Sequence, residues 1–460
     1  MDQQQLKFQK MTQTPVKPLI LRLAIPTILS MLVTTFYNMA DTYFVGMLES
    51  NSITGAVGVV FSMMSVIQAV GFFFGHGSGN YVSRELGKHR VKEAETMVSV
   101  GFFTAFGAGA LIAVFGLLFL DPLTRLLGAT DTILPYAKAY LAPILCAAPF
   151  MCASLVLNNQ LRFQGNATYA MVGIVSGAVL NIALDPLLIF VFDMGIAGAA
   201  VATAISQLVS FCLLLIGVQK SDTLKVRLKN FTFDFQYFKS IANGGTPSLF
   251  RQGIGSIAAI ALNRVAGGFA DHDAVIAAFS VVQRIMMFAA SAFIGFGQGF
   301  QPVCGFNWGA KRYDRVKEAF WFSTIVSMVF MALFSMVGFF LSGELIALFR
   351  DEAHVIEIGT KALRAQLYVF PLMGWVFLSN MMLQTIGRVF KASILAAARQ
   401  GLAFIPVVLI LPYFFGLEGL VWAQAVADVC AFLIALPIQI SVLREMERYM
   451  KEETIEPKGA

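Results

Sequence analysis

Long apolar runs separated by short polar, basic punctuation dominate the chain from end to end. A run such as Leu111 to Leu120 holds no charge and shows no alternation of polar and apolar positions. Stretches of about 18 or more such residues read as membrane-spanning helices. Backbone in hydrocarbon must be satisfied inside a helix or a closed barrel, and barrel strands alternate, so the pattern selects helices. It predicts an all-α polytopic membrane protein with twelve spans. The first six lie near 19–46, 53–75, 96–119, 136–160, 168–192 and 195–218, and the second six near 240–266, 274–300, 319–342, 358–384, 391–415 and 418–441. Residues 1–17 are polar and basic, with no small-residue cleavage site behind a short apolar core, so the first span is expected to be retained.

Composition agrees, and charge adds an orientation. The 460 residues are 57% hydrophobic and 13% charged, against about a quarter charged in soluble domains. The net charge of +6 could invite nucleic acid, but its placement has another cause. Of 33 Lys and Arg, 24 lie at the two termini or in the loops after even-numbered spans, including Arg84, Lys88, Arg90 and Lys92 after the second and Lys311, Arg312, Arg315 and Lys317 after the eighth. The positive-inside rule then predicts a cell-membrane protein with both termini in the cytoplasm. The lipid bilayer is its expected partner and nucleic acid is not, and the chain is expected to be a monomer. The five cysteines lack metal-ligand spacing and read as packing residues, with no metal or cofactor expected.

The chain also resembles itself at an offset near 222. Arg90-Val91-Lys92-Glu93-Ala94 recurs as Arg315-Val316-Lys317-Glu318-Ala319, Pro26 matches Pro247, Leu161 and Gly165 match Leu383 and Gly387, and Gly195-x-x-Gly198 matches Gly416-x-x-Gly419. Duplication explains the set. Six spans is an even number, so the copies are parallel and related by an axis along the membrane normal, a build that places substrate between halves. The expected division is an N-terminal lobe 1–218, a cytoplasmic linker 219–238, a C-terminal lobe 239–443 and a tail 444–460.

Ionisable groups at membrane depth are costly and mark function. At the helical rise, Asp41 lies roughly 7 Å inside the outer end of its span, Asp185 roughly 11 Å and Thr203 roughly 12 Å. Asn181 is one turn from Asp185, and Tyr37 one turn from Asp41. Pro186 removes a hydrogen bond and frees the carbonyl of Ile182. Two neighbouring carboxylates resist being ionised together, so this layer is a candidate proton or cation site, with Asn158 nearby. In the second half, Asp428 and Arg284 share a depth of roughly 15 Å; with Arg399 they read as a structural charge network.

The pattern Pro26…Tyr37-Asn38-Met39-Ala40-Asp41, the loop Gly305-x-Asn307-x-Gly309-Ala310 and the paired Gly165 and Gly387 turns give the chain, over its whole length, a resemblance to the multidrug and toxic compound extrusion (MATE) transporters. The resemblance implies a V-shaped pair of six-helix lobes exporting bulky, often cationic compounds against a proton or sodium gradient. It also implies that Asp41, Asn181, Asp185 and Thr203 couple the ion; Pro26 and Pro186 are the expected places for helices to bend. The seventh span reads Pro247-Ser248-Leu249-Phe250-Arg251-Gln252, without the glutamate of the NorM-like branch, which favours the DinF-like branch.

Flexible Met63, Met64 and Met287 join Tyr37 and Asn158 as substrate-contact candidates. The runs Gly75-His76-Gly77-Ser78-Gly79 and Gly295-Phe296-Gly297-Gln298-Gly299 are expected to end membrane helices and form no nucleotide loop. His76, His89, His272 and His354 are expected at span ends or in loops. A lipid-linked oligosaccharide flippase is the alternative function, kept open by Arg251, Arg284 and Arg399. An enzyme would need a nucleophile, base or metal cluster that the residues do not suggest.

Overall fold

The computed structural model describes residues 3–48, 50–220 and 224–455. Residues 221–223 of the expected linker and 456–460 of the expected tail lie outside the described residues. Among the described residues, ten helical segments are long and apolar enough to cross a membrane. One of them, Val389–Glu452, has 64 residues, about 96 Å of helix against roughly 30 Å of hydrocarbon. It breaks at Gly416, whose φ is 58°, and therefore supplies the eleventh and twelfth spans. The seventh, Phe235–Ala266, is diluted by Lys239, Arg251 and Arg264 and completes twelve. The chain is an all-α polytopic membrane protein.

The duplication is written in the backbone. Left-handed φ recurs at His89 and Lys311, at Gly165 and Gly387, and at Gly195 and Gly416. A short helix follows the third span, Leu120–Leu126, and another the ninth, Ser342–Phe349. Asn158 Nδ2 donates to Ala170 O at 3.2 Å, and its counterpart Asn380 donates to Ala392 O at 2.7 Å. One sequence match is out of register. Arg90 and Arg312 precede the first residues of the third and ninth spans, so Arg90 is equivalent to Arg312, and the matching pentapeptide at Arg315 sits almost one turn later. The two copies of that motif still fall on similar helix faces, because three residues is close to a full turn.

The halves meet in a symmetric way. The first span, Val16–Gly46, packs on the eighth, His272–Gly309, and the second, Asn51–Gly87, packs on the seventh. The second and eighth spans run well beyond the boundaries expected from the sequence, so the two glycine-rich runs lie within helices instead of ending them. Their role is close packing. A Cβ at Gly295 would stand 2.6 Å from Ile28 Cα, and one at Gly244 would stand 3.0 Å from Gly77 Cα. At the basic end of the molecule, Gly87 faces the Phe306 carbonyl and Gly309 faces the Arg84 carbonyl, a reciprocal contact. Small residues let membrane helices approach this closely where hydrophobicity offers no driving force between them. Gly309→Leu is therefore expected to prevent this seam from closing and to leave little folded protein in detergent, measured by size-exclusion profile and melting temperature. A Gly309→Leu protein as well folded as the parent would refute the assignment of the seam.

His76 is likewise not at a span end. It is 4% exposed, and its Nδ1 stands 2.9 Å from Ser248 Oγ across the seam, where Gln384 Nε2 also donates to Ser248 Oγ at 2.8 Å. Before the first span, a helix Gln3–Gln13 bridges both halves at the basic end. Phe8 stacks on His89, and Asn307 Nδ2 donates to Met11 O at 3.1 Å. The polar connection before the seventh span packs down: Leu224 N donates to Gln164 Oε1 at 3.0 Å and Arg227 N to Ser99 Oγ at 3.2 Å. Cys152 and Cys304 are buried as expected of packing residues, whereas Cys146 and Cys212 are exposed.

Candidate functional site

Four spans of the first half bring polar groups together. Asp185 is fully buried on the fifth span, Ala167–Pro186, and Asn181 lies one turn earlier with 1% exposure. Asn181 Nδ2 stands 3.4 Å from Asp185 Oδ1 and 3.3 Å from Thr203 Oγ1 of the sixth span, Gly195–Lys220. Asp41 comes from the first span, and Tyr140 from the fourth, Leu134–Phe163, with the Tyr140 hydroxyl 3.5 Å from Asp41 Oδ2. The sequence reading missed Tyr140. Its place near the outer start of a span, at a depth close to that of Asp41, was the signal available.

Pro186 closes the fifth span's regular helix, and Leu187–Val191 continues as a π-helical turn. Such widened turns mark functional positions in helices, and here the turn begins directly after the buried carboxylate. Pro26 is buried within the continuous first helix. Thr27 Oγ1 beside it donates to Gly295 O of the eighth span at 2.6 Å, so the proline sits at the junction of the two halves.

The chemistry lies in the unpartnered atoms. Asp41 Oδ1, Asp185 Oδ2 and Asn181 Oδ1 are buried with no hydrogen-bond donor among the described residues. All three are acceptors. Buried acceptors left without donors are costly, and hard cations take oxygen ligands of this kind. A bound proton or small cation would supply what these oxygens lack.

A cavity of about 130 Å³ adjoins the cluster, lined among others by Tyr37, Asn181 and Thr203 at one end and by Asn158, Arg162 and Ser210 at the other. Ligand pockets for drug-sized molecules run from about 300 Å³, so a bulky compound needs further opening. Of the substrate-contact candidates, Tyr37 and Asn158 lie on its wall. Met63 is buried in the core of the first half, Met64 packs against that core, and Met287 is 59% exposed on the eighth span. The methionines on the cavity wall are Met31 and Met151.

The second half is built differently. Asp428 is 1% exposed, and Arg399 holds it with both arms of its guanidinium, Nε to Oδ1 at 2.8 Å and a terminal nitrogen to Oδ2 at 3.3 Å. Gln424 Nε2 adds a third donor at 2.7 Å, and Phe377 lies under the guanidinium at 5.4 Å. Arg399 projects from a second π-helical stretch, Ala398–Phe404. Arg284, expected beside Asp428 from its depth, is exposed and makes no ion pair with Asp428. Equal depth had left open the direction in which each side chain points around its helix, and that direction separates them.

The comparisons with known proteins agree with this architecture. The MatE family pattern matches residues 26–187 and again 247–410, one copy in each half. The multidrug export protein MepA of Staphylococcus aureus (strain MRSA252) is 27% identical over 457 residues, covering 99% of both chains. A crystal structure of a MATE protein in complex with MaL6 shares the fold with a TM-score of 0.90 at 24% identity, over 96% of this chain and 99% of that one. An outward-facing multidrug resistance MATE family transporter of the MOP superfamily gives a TM-score of 0.88 at 25% identity, over 95% of this chain and 99% of the other. With the family pattern present twice, in the register of the structural repeat, the chain belongs to the MatE family of membrane transporters.

Proposed function

We propose that the protein exports organic compounds, many of them cationic drugs, in exchange for an inward-moving proton or sodium ion. Asp41, Asp185, Asn181 and Thr203 receive that ion. The observation that carries this reading is the set of buried acceptor oxygens on Asp41, Asp185 and Asn181 that lack donors, with no guanidinium or ammonium paired to either carboxylate among the described residues. Relatives named for multidrug export support the choice of cargo. When the site is empty, two ionised carboxylates repel and hold the first span, which carries Asp41, in its straight form. Ion binding removes the repulsion. The first span then bends near Pro26, narrows the cavity beside Tyr37, and expels the compound outward.

Ethidium efflux in everted vesicles, driven by a pH gradient and a sodium gradient imposed separately, tests the reading. Uptake into vesicles under one gradient is the expected result, and no response to either would sink it. The orientation is tested with it: both termini are placed in the cytoplasm, so single cysteines at 224–234 should react with impermeant thiol reagents only in broken cells. Labelling in intact cells would invert the topology.

A further inference from the structure

The cavity of the first half has two unlike ends. Asp41 and Asp185 stand near one end. At the other, Arg162 is 1% exposed and lines the wall. A terminal guanidinium nitrogen donates to Asn159 Oδ1 at 2.6 Å, and the Phe163 ring lies 5.3 Å from its Cζ. Its Nε has no acceptor, and no carboxylate pairs with it among the described residues. A buried cation without a counter-ion is among the costliest arrangements a protein keeps.

Three buried hydroxyls lining the same cavity, those of Ser154 on the fourth span and of Ser206 and Ser210 on the sixth, also have no partner among the described residues. Serine and threonine in these spans commonly donate to the carbonyl one turn back, as Ser30 does to Pro26 and Thr34 to Ser30. These three do not. Opposite them the fifth span carries Gly177, where an added Cβ would stand 2.8 Å from Ser210 Cβ. The missing side chain lets the fifth span pack directly against the sixth beside these hydroxyls. Across the seam, Arg251 donates to the Asn380 amide oxygen at 3.4 Å, and no carboxylate pairs with it among the described residues.

The geometry points to an anion-recognition subsite at this end of the cavity. Arg162 and the hydroxyls of Ser154, Ser206 and Ser210 receive the carboxylate or sulfonate of an organic compound. Ordered water could satisfy the hydroxyls but would leave the guanidinium charge uncompensated; an anionic oxygen satisfies both with charge-assisted bonds. The subsite rests on the reading of this cavity as part of the export path, and extends the cargo from cations to compounds bearing an acidic group.

Two fluorescent probes of nearly the same shape test it: dansylglycine, a carboxylate, and dansylglycinamide, its neutral amide, titrated against the full chain in nanodiscs. The parent protein is expected to bind the acid about tenfold more tightly than the amide, the scale of one charge-assisted bond. Arg162→Gln removes that preference and leaves amide affinity within about twofold. Ser206→Ala with Ser210→Ala narrows the preference by a smaller factor, and decides the matter if Arg162→Gln fails to fold. No binding of the acid, equal affinity for the two probes in the parent, or a preference that survives in every folded variant overturns the subsite. Ethidium efflux separates the two readings. Export without acid preference removes the subsite alone, and acid preference without export removes the transport reading alone.

Discussion

Asparagine in place of Asp41 is expected to abolish gradient-driven efflux while leaving the protein folded and inserted. The substitution keeps the shape of the side chain and removes only the charge that a proton or sodium ion would neutralise. Asp41 is held by one long contact from Tyr140, at 3.5 Å, so little packing depends on its ionised form. The proposed transport cycle depends on it entirely, because an uncharged residue cannot alternate between a repelling and a neutral state. Asp185→Asn should have the same effect or shift the pH dependence, since the proposed mechanism has the two carboxylates take up the ion together. The available driving force is adequate: one charge crossing 100 mV supplies about 2.3 kcal/mol before any pH term. The measurement is ethidium efflux in vesicles holding equal amounts of each variant. If both asparagine variants pump at the parental rate with unaltered ion dependence, the coupling site lies elsewhere, and Asp428 becomes the next place to look.

Asp428→Ala is expected to behave in the opposite manner, lowering stability more than coupling. Both oxygens of Asp428 already accept hydrogen bonds, from Arg399 and Gln424. That separates it from Asp41 and Asp185, each of which keeps a bare oxygen. Breaking a buried pair strands the remaining charge at a cost of about 3–5 kcal/mol. The Arg399 side chain is 22% exposed, so some of that cost is relieved by solvation. Pairing the substitution with Arg399→Leu removes the stranded charge, and the double variant should recover melting temperature relative to Asp428→Ala alone. Thermal unfolding in detergent checks this, together with efflux per folded molecule. An Asp428→Ala protein of normal stability that moves ethidium passively, without ion dependence, would show that the second half couples the ion.

Much of this could be read without coordinates because each signal is local. A spanning helix is set by the apolar length of its own segment. A buried carboxylate such as Asp185 stands out because charge is rare and costly at that depth. Duplication shows as repeated residues at a fixed offset, and Gly165 and Gly387 carry it directly, since both occupy left-handed backbone that other residues avoid. Asp41, Asn181, Asp185 and Thr203 were expected in one layer, and Asn181 stands within 3.4 Å of Asp185 and 3.3 Å of Thr203.

What depth cannot supply is direction around the helix axis. Residue count converts to height at about 1.5 Å per residue, but two side chains at equal height can point to opposite faces. That is why Arg284 was expected at Asp428, while the partner is Arg399, brought round by the π-helical stretch Ala398–Phe404. The same limit hid Tyr140 beside Asp41 and the burial of Arg162 without a counter-ion. Glycine was the other blind spot. In a sequence it reads as an end of a helix, and at Gly77 and Gly295 it is instead the place where two helix backbones touch. The sequence by itself determined the spans, the repeat and the depth of each charge. Only tertiary packing decided which faces of those helices meet, because contact between membrane helices depends on shape at the seam and not on the apolar character that all of them share.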